Sequence, residues 1–598
     1  MEPGTAAAPA QPTGSATIAD MMGLAAERFG DQVAGRRKVD GEWRDISYAE
    51  TGAIVSELAR GLIDLGLAAG DRVAILCTTR AEWAHASFAI SSAGGVVVPI
   101  YPTNSPEECG YVAADSEARF VVCEDAEQLA KIVAVRDQLP ALEAIIVVDP
   151  SGDVGDAVSI EALRERGRGR DAAEVAERAK AVTPADPYTF IYTSGTTGPP
   201  KGCVLSHGNY RSVLSMCEEI GVIEPQESVY LYLPLAHSYA LLIQLLAVDL
   251  GATVAYFGGD TKQIVPELTE VRPDHLPSVP RIFEKIYTLV TSNGDPEQIR
   301  RATQVGLKVR TLQAAAQPVP AELQAAFDQA DEQLYKNVRS AFGGRLKQAN
   351  TGAAPIAKEI LEFFFACGVP VLEGYGMTET STVSTTQTLE HHKLGTVGRA
   401  LPGSEVRIAE DGEILLRGPH IFRGYYKMAD ESFGAIEDGW LHTGDLGSLD
   451  EDGYLTITGR KKDIIITAGG KNLTPANLEN DLKQSRWISQ AVMHGDRRPY
   501  PVALITLDPE EIVHFADEHG LSHDAATLAQ EPKVRELIQG VLDQVNAKYA
   551  RVEQIKRFAI LDHDLSQETG ELTPTLKVKR NVVNEKYAEL FEELYARP

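Results

Sequence analysis

The sequence predicts an α/β chain in two unequal parts. A large N-terminal domain of layered α/β subdomains carries a small β-rich module. A small α+β C-terminal domain follows. Three observations carry this. Through Tyr192, short apolar runs alternate with stretches of helical periodicity, the pattern of parallel strands buried on both faces. After Arg399 the runs shorten and Asp-Gly turns multiply. Past Arg460 a compact helix-and-strand pattern resumes behind the basic run Gly459-Arg-Lys-Lys-Asp463.

The elements follow in order. Residues 1–14, rich in Ala, Pro and Gly, are expected to form a disordered tail. Ser47 and Glu50 have capping-box spacing, and Ile54, Val55, Leu58, Leu62 and Leu65 continue a helix that Gly66 stops. Strands are expected at Arg72–Leu76, Gly95–Ile100, Phe120–Cys123, Ala144–Val148 and Phe190–Tyr192, with a helix from Ala81. From about 280 to 345 helix formers dominate and read as a helical insertion. Within it, Leu323, Ala326, Phe327, Leu334 and Val338 form the apolar stripe of one helix over 321–340. Val406–Ile408, Glu413–Leu416 and Tyr454–Ile457 are strands of the β-rich module, about 400–459. The large domain spans 15–460 and the lid domain 461–598, where Thr474-Pro475 reads as an N-cap with proline at N1.

Composition excludes several functions. In 598 residues, 57 Lys and Arg face 85 Asp and Glu, a formal charge of −28, so nucleic acid is not an expected partner. The six cysteines contain no CxxC pair and point to a reducing, cytoplasmic setting, as small buried side chains. The N-terminus lacks the basic region of a signal peptide. Phe88–Tyr101, the longest near-apolar stretch, falls short of the ~20 residues of a membrane helix.

Five segments carry chemistry. Tyr192–Gly202 (YTSGTTGPPKG) joins Gly195, Gly198 and Gly202 to the hydroxyls of Thr193, Ser194, Thr196 and Thr197 and to the charge of Lys201. Exposed amides, hydroxyls and one cation suit a polyphosphate. The Walker A pattern fails, because Lys201 stands between Pro200 and Gly202. Glu373–Thr380 (EGYGMTET) offers Tyr375 as a flat face between Gly374 and Gly376, Thr378 as a phosphate donor and Glu379 as a hard oxygen ligand. Asp445, in Trp440–Leu446, can accept from two hydroxyls. Arg460 lies in the basic run, and Leu572–Arg580 supplies a second lysine source. His391-His392 has no further ligands nearby and reads as surface.

In order and spacing, from about Asp45 to Arg580, these segments resemble the AMP-forming adenylate synthetases. The insertion borders Val279–Lys285 and Phe342–Leu346, with Thr573–Lys577, resemble their long-chain fatty acyl-CoA synthetase branch. The resemblance implies that a fatty carboxylate attacks the α-phosphorus of ATP to give acyl-AMP and pyrophosphate, and that coenzyme A then displaces AMP. It implies ATP, Mg2+ and coenzyme A as cofactor and co-substrates. The phosphate loop would hold the β and γ phosphates, with Mg2+ near Glu379 and Thr193. Gly352, Ala353 and Ala354, with Glu373, Gly374 and Tyr375, would line the adenine side. Asp445 and Arg460 would hold the ribose, Lys577 would act in adenylation, and Lys462 would be the hinge of a small, mobile C-terminal domain. Leu233–Tyr239 matches the acyl-pocket motif, with His237 as a wall and Tyr239 as the nearest candidate for an aromatic gate; Leu241–Val248 is a candidate tunnel lining or ordinary core. The sequence departs from the family at Leu576, where glycine usually precedes the lysine. An acyl-AMP ligase serving a carrier protein is the alternative within the family, and a non-catalytic nucleotide- or lipid-binding module the alternative outside it. An insoluble substrate raises the expectation of peripheral contact with the inner membrane face, and a homodimer is a further expectation.

Overall fold

The structure, a computed structural model, describes residues 12–193, 199–291 and 294–596. Two large sheets stack with helices between and outside them. The first orders its strands Val158–Ser159, Ala144–Val147, Phe120–Cys123, Arg72–Leu76, Val96–Ile100, Pro187–Thr193 and Lys201–Ser206, all parallel neighbours except the last pair. The second has nine strands, with Ser228–Leu231, His275–Ser278, Gln348–Thr351 and Val371–Tyr375 as its parallel centre. The strands expected at Arg72–Leu76 and Phe120–Cys123 have those bounds, because each is a buried β-branched run between turn residues.

One hydrophobic core fills the space between the sheets and reaches the β-rich module through Ile414, Leu416, Leu441 and Leu455. Its centre is the helix Ser238–Leu250, buried on every side except at Tyr239. Leu241–Val248, a candidate tunnel lining, is packed into this core. The helix Tyr48–Asp64 begins at the expected Ser47–Glu50 capping box and buries Val55, Leu58 and Leu62. Residues 12–14 depart from the expected tail: Thr13 is buried, its amide donates to the Asp249 carbonyl at 2.9 Å, and its hydroxyl donates to the Asp249 carboxylate.

The outer face of the second sheet carries the helices Pro280–Thr291, Pro296–Ala314, Ala321–Ala330 and Lys336–Ala341. Over 321–340 the structure corrects the expected single stripe. A π-helical turn, Asp331–Tyr335, inserts a residue, so Tyr335 turns inward with Val338 while Ala326 is exposed. Phe283, Phe342 and Phe364 meet beneath, with ring centroids 5.7–6.2 Å apart.

The β-rich module is an antiparallel sheet from Glu405–Ile408 to Leu455–Arg460, and the two-residue turn Asp438-Gly439 has positive φ at both positions, 50° and 77°. After Arg460 a short turn, Lys461–Asp463, leads into a smaller unit with two cores of its own around the strands Ile488–His494, Val502–Leu507 and Arg557–Ile560. Its helix Pro475–Lys483 has proline at N1, but Thr474 makes no side-chain cap; its methyl instead lies where a Cβ on Gly459 would stand. Two ion pairs tie this unit to the insertion, Arg281–Asp508 at 2.7 Å and Lys285–Glu510 at 3.2 Å.

Phe364→Ala empties the aromatic cluster under the second sheet. The expected loss of unfolding free energy is about 3–5 kcal/mol, measured by urea denaturation.

Candidate functional site

The site is built where strand ends of both sheets, the β-rich module and the small unit converge. Strands Pro187–Thr193 and Lys201–Ser206 form a hairpin in which Thr193 faces Lys201. The loop between them therefore returns to a strand, whereas a Walker A loop opens a helix. Its residues Ser194, Gly195, Thr196, Thr197 and Gly198 lie outside the described residues. The helix Pro106–Asp115 braces both flanks. The Tyr192 hydroxyl donates to Asp115 at 2.6 Å, and the Tyr111 hydroxyl donates to the Pro200 carbonyl at 3.0 Å. Thr193 is half-buried, with Oγ1 3.5 Å from the Lys201 carbonyl oxygen.

The second group hangs from the strand Val371–Tyr375. A Cβ on Gly376 would stand 2.1 Å from the Thr382 carbonyl oxygen, so only glycine fits there. That close approach folds Thr378–Thr380 into a tight turn and buries Thr378 and Glu379. The Gly352 and Gly374 backbones also pack closely: a Cβ on Gly352 would meet the Gly374 carbonyl oxygen at 3.2 Å. Ala353, at φ +65°, and Ala354 are exposed on the loop beside them. Burial pushes the Glu373 carboxyl up to about 8, and its Oε2 has no partner among the described residues. Burial thus favours the protonated carboxyl at pH 7, with the Gly395 amide as an opposing hydrogen bond.

Asp445 joins this group to the module. Glu413 pairs with Leu446 while Leu415 pairs with His442, so a bulge in the strand Trp440–Leu449 re-aims the residues between them. Gly444 takes φ +71° and Asp445 turns inward. Its carboxylate accepts from the Tyr375 hydroxyl at 2.7 Å and from Arg460 Nε at 2.8 Å. Tyr375 is therefore a buried hydrogen-bonding side chain as well as an aromatic face.

The small unit brings Lys577. Residues 573–577 form a tight turn in which the Thr573 amide donates to the Lys577 carbonyl at 2.8 Å and the Lys577 amide to Thr573 Oγ1 at 3.0 Å. Leu576 stands at φ +58° with 66% of its surface exposed, in the left-handed region that glycine adopts without strain. This is the position where the related motif carries glycine. Lys577 is exposed on this turn. Desolvation, with Arg460 beside it, still lowers its pKa to about 8, against the opposing fields of Asp445 and Glu379. Lys577 in turn helps burial bring His237 down to about 4. His237 caps the helix Ser238–Leu250, its Nδ1 accepting from the Tyr239 amide at 3.1 Å. The Tyr239 hydroxyl donates to the Asn350 carbonyl at 2.9 Å, which ties this helix to the second sheet. Lys462 is exposed on the turn between the units, and desolvation, then Arg460, lowers its pKa.

Sequence reasoning missed Tyr425. Its hydroxyl donates to Glu379 Oε1 at 2.7 Å, and its only signal was the unremarked Gly424-Tyr425-Tyr426 run. It also missed Glu413, buried beneath the bulge and accepting from the Gly444 amide at 2.8 Å.

Leu576→Gly is expected to raise the unfolding free energy of the small unit by about 1 kcal/mol, read by thermal unfolding, because relief of the left-handed strain exceeds the added chain entropy.

Comparison with known proteins gives the same outline. The AMP-binding enzyme family matches residues 24–426, and the AMP-binding enzyme C-terminal domain matches residues 462–598. The long-chain-fatty-acid–CoA ligase FadD15 of Mycobacterium tuberculosis is 39% identical over 572 residues, 94% of each chain. The long-chain-fatty-acid–CoA ligase ACSBG2 of Xenopus laevis is 34% identical over 630 residues, 97% of this chain and 84% of its own. The crystal structure of a carboxylate reductase adenylation domain from Mycobacterium chelonae aligns with TM-score 0.78 at 21% identity, over 98% of this chain and 92% of its own, which bears on the fold alone. The chain belongs to the AMP-binding enzyme family, in the long-chain branch of the adenylate-forming acyl-CoA synthetases.

Proposed function

We propose that this chain activates long-chain fatty acids with ATP, through an acyl-AMP intermediate, to acyl-CoA, AMP and pyrophosphate. The names of its relatives support that reading, and one observation carries it to this chain's residues. Lys577 of the small unit lies within the field of Arg460, Asp445 and Glu379 of the large one and perturbs His237. A cation carried in from a separate unit, beside a buried carboxylate pair and the acyl-pocket motif, suits a reaction that builds negative charge between an acid and a phosphate.

In the first step a carboxylate oxygen attacks the α-phosphorus and pyrophosphate leaves with the electrons of the broken P–O bond. Lys577 holds its charge against the attacking carboxylate and the α-phosphate. Asp445 and Arg460 hold the ribose, Glu373 and the Gly352–Ala354 loop hold the adenine, and Thr378 with Lys201 holds phosphate oxygens. Ser194, Gly195, Thr196, Thr197 and Gly198 belong to the same phosphate site. In the second step the sulfur of coenzyme A attacks the acyl carbon, AMP leaves, and the thiol proton passes to solvent. His237, neutral and already capping a helix, walls the acyl site with Tyr239 and is too weak a base to take that proton.

Glu379 and Thr193 offer hard oxygen donors that fit Mg2+, and no cluster of three or more His, Cys, Asp or Glu among the described residues could hold a metal by itself. Mg2+ held by Glu379 and Thr193 together with the nucleotide's phosphates would neutralise their charge. Lys462 serves as the hinge on which the lid domain, 461–598, reopens between the two steps. No described helix is long and apolar enough to cross a membrane. A cytoplasmic enzyme in peripheral contact with the inner membrane face, as a monomer or homodimer, completes the proposal; liposome flotation and sedimentation test those two parts.

Product analysis by mass spectrometry, with a fatty-acid panel and with or without coenzyme A, tests the main reading. Acyl-CoA and AMP are expected, peaking at long chains. Acyl-AMP that accumulates with coenzyme A present identifies the carrier-dependent ligase instead, and no adenylate with any acid overturns both.

Lys577→Ala is expected to slow acyl-AMP formation by about 10²–10³-fold in single-turnover assays, with the fold intact. Below about pH 8 Lys577 carries its charge and above it loses it. The kcat/KM for ATP therefore falls as pH rises through about 8 in the ligand-free enzyme's profile, and Lys577→Arg moves that limb to higher pH.

A further inference from the structure

We infer that Tyr425 is a positioning residue that holds Glu379 and Lys201 as a matched pair for a metal-bound polyphosphate. The inference rests on the function proposed above and adds to it a residue that none of the five motifs contains.

Three features of Tyr425 point this way. Its hydroxyl donates to Glu379 Oε1 at 2.7 Å, which ties down one oxygen of that carboxylate. Its ring lies under Lys201, with Nζ 5.3 Å from the centroid. A cation over a ring face is held without losing its donors, which remain free to turn toward an anion. Its backbone is fixed from both sides: an isolated β-bridge joins it to Cys203, in the strand that Lys201 begins, and its amide donates to Ser432 Oγ at 2.8 Å. The Phe422 amide, in the same segment, donates to the Glu379 carbonyl at 2.8 Å, so the segment grips the carboxylate residue by main chain and side chain together.

The chemistry explains why one tyrosine should serve both. Glu379 and Lys201 have opposite charges and would otherwise be drawn to each other, which would consume both before a ligand arrived. A phenol between them satisfies the carboxylate with its hydroxyl and the ammonium with its ring face. The carboxylate is then preset for a cation and the lysine for the phosphates that the cation accompanies. Such preorganisation lowers the ordering cost at the moment of binding.

Calorimetric titration of the full chain with ATP in EDTA, ATP with Mg2+, and AMP tests this in three variants. Tyr425→Phe keeps the ring and loses the hydroxyl; its affinity for ATP with Mg2+ is expected to fall about tenfold, the size of one hydrogen bond to a charged group, with metal-free ATP and AMP unchanged. Tyr425→Leu also releases Lys201, so its affinity for metal-free ATP should fall about threefold or more while AMP is unchanged. In a Glu379→Gln background Tyr425→Phe should cost nothing further for ATP with Mg2+. The inference is overturned if Tyr425→Phe binds all three ligands like the parent, if AMP affinity and thermal stability fall in step with ATP, or if the loss persists undiminished in the Glu379→Gln background. A parent chain that binds neither ATP nor AMP would overturn the proposed function itself, an outcome that these variants do not mimic.

Discussion

The carboxylate of Asp445 is the contact on which the site depends. It accepts from Tyr375 at the end of a central strand and from Arg460 at the last residue of the β-rich module. Second sheet, module and the start of the small unit are thus fixed to one buried charge. Removing the Asp445 carboxylate would leave both Tyr375 and Arg460 without this partner, the buried tyrosine hydroxyl at a cost larger than the net value of its bond. The bulge that aims Asp445 inward is held in turn by Glu413, which accepts from the Gly444 amide and pairs with Lys461 at 3.1 Å. The turn Lys461–Asp463 is therefore anchored to the module side before the chain enters the small unit.

The attachment of the two units is of a different kind. Arg281–Asp508 and Lys285–Glu510 are partly or largely exposed, and Gln567 Nε2 donates to the Thr103 carbonyl at 3.0 Å on the opposite edge. Exposed pairs of this sort contribute ~0–1 kcal/mol each. A cleft of about 340 Å³, lined by Pro355, Asn477, Asn480 and Tyr549 among others, also separates the surfaces next to the Ala353–Ala354 loop. Each unit has its own apolar core. The arrangement that brings Lys577 to Asp445 and Glu379 thus includes polar contacts that water can replace. Lys577 itself arrives beside Arg460, with its pKa already lowered.

Much of the fold was legible in the sequence because its signals are local. A capping box, a β-branched run between turns and an Asp-Gly hairpin depend only on neighbouring residues, and Ser47–Glu50, Arg72–Leu76 and Asp438-Gly439 all appear as read. The helix over 321–340 was misread where the local rule itself breaks, since a π turn shifts the apolar stripe by one residue and no composition signal marks it. The order at residues 12–14 was missed because it comes from Asp249, more than two hundred residues away. Tyr425 and Glu413 were missed for the same reason: nothing near them in the chain tells that one meets Glu379 and the other supports a bulge.

The sequence by itself determined the chemistry available: which loop is rich in hydroxyls and glycine, which carboxylates and lysines stand in family spacing, and that Leu576 replaces a glycine. The tertiary structure decided how these groups act on one another. It paired the two strands that flank the loop, drew Tyr375 and Arg460 onto one carboxylate, raised the Glu373 pKa by burial and placed Lys577 near Arg460. The physical reason is that residue types and spacings are properties of the chain, whereas desolvation, charge proximity and hydrogen-bond pairing arise only when distant segments share one buried volume.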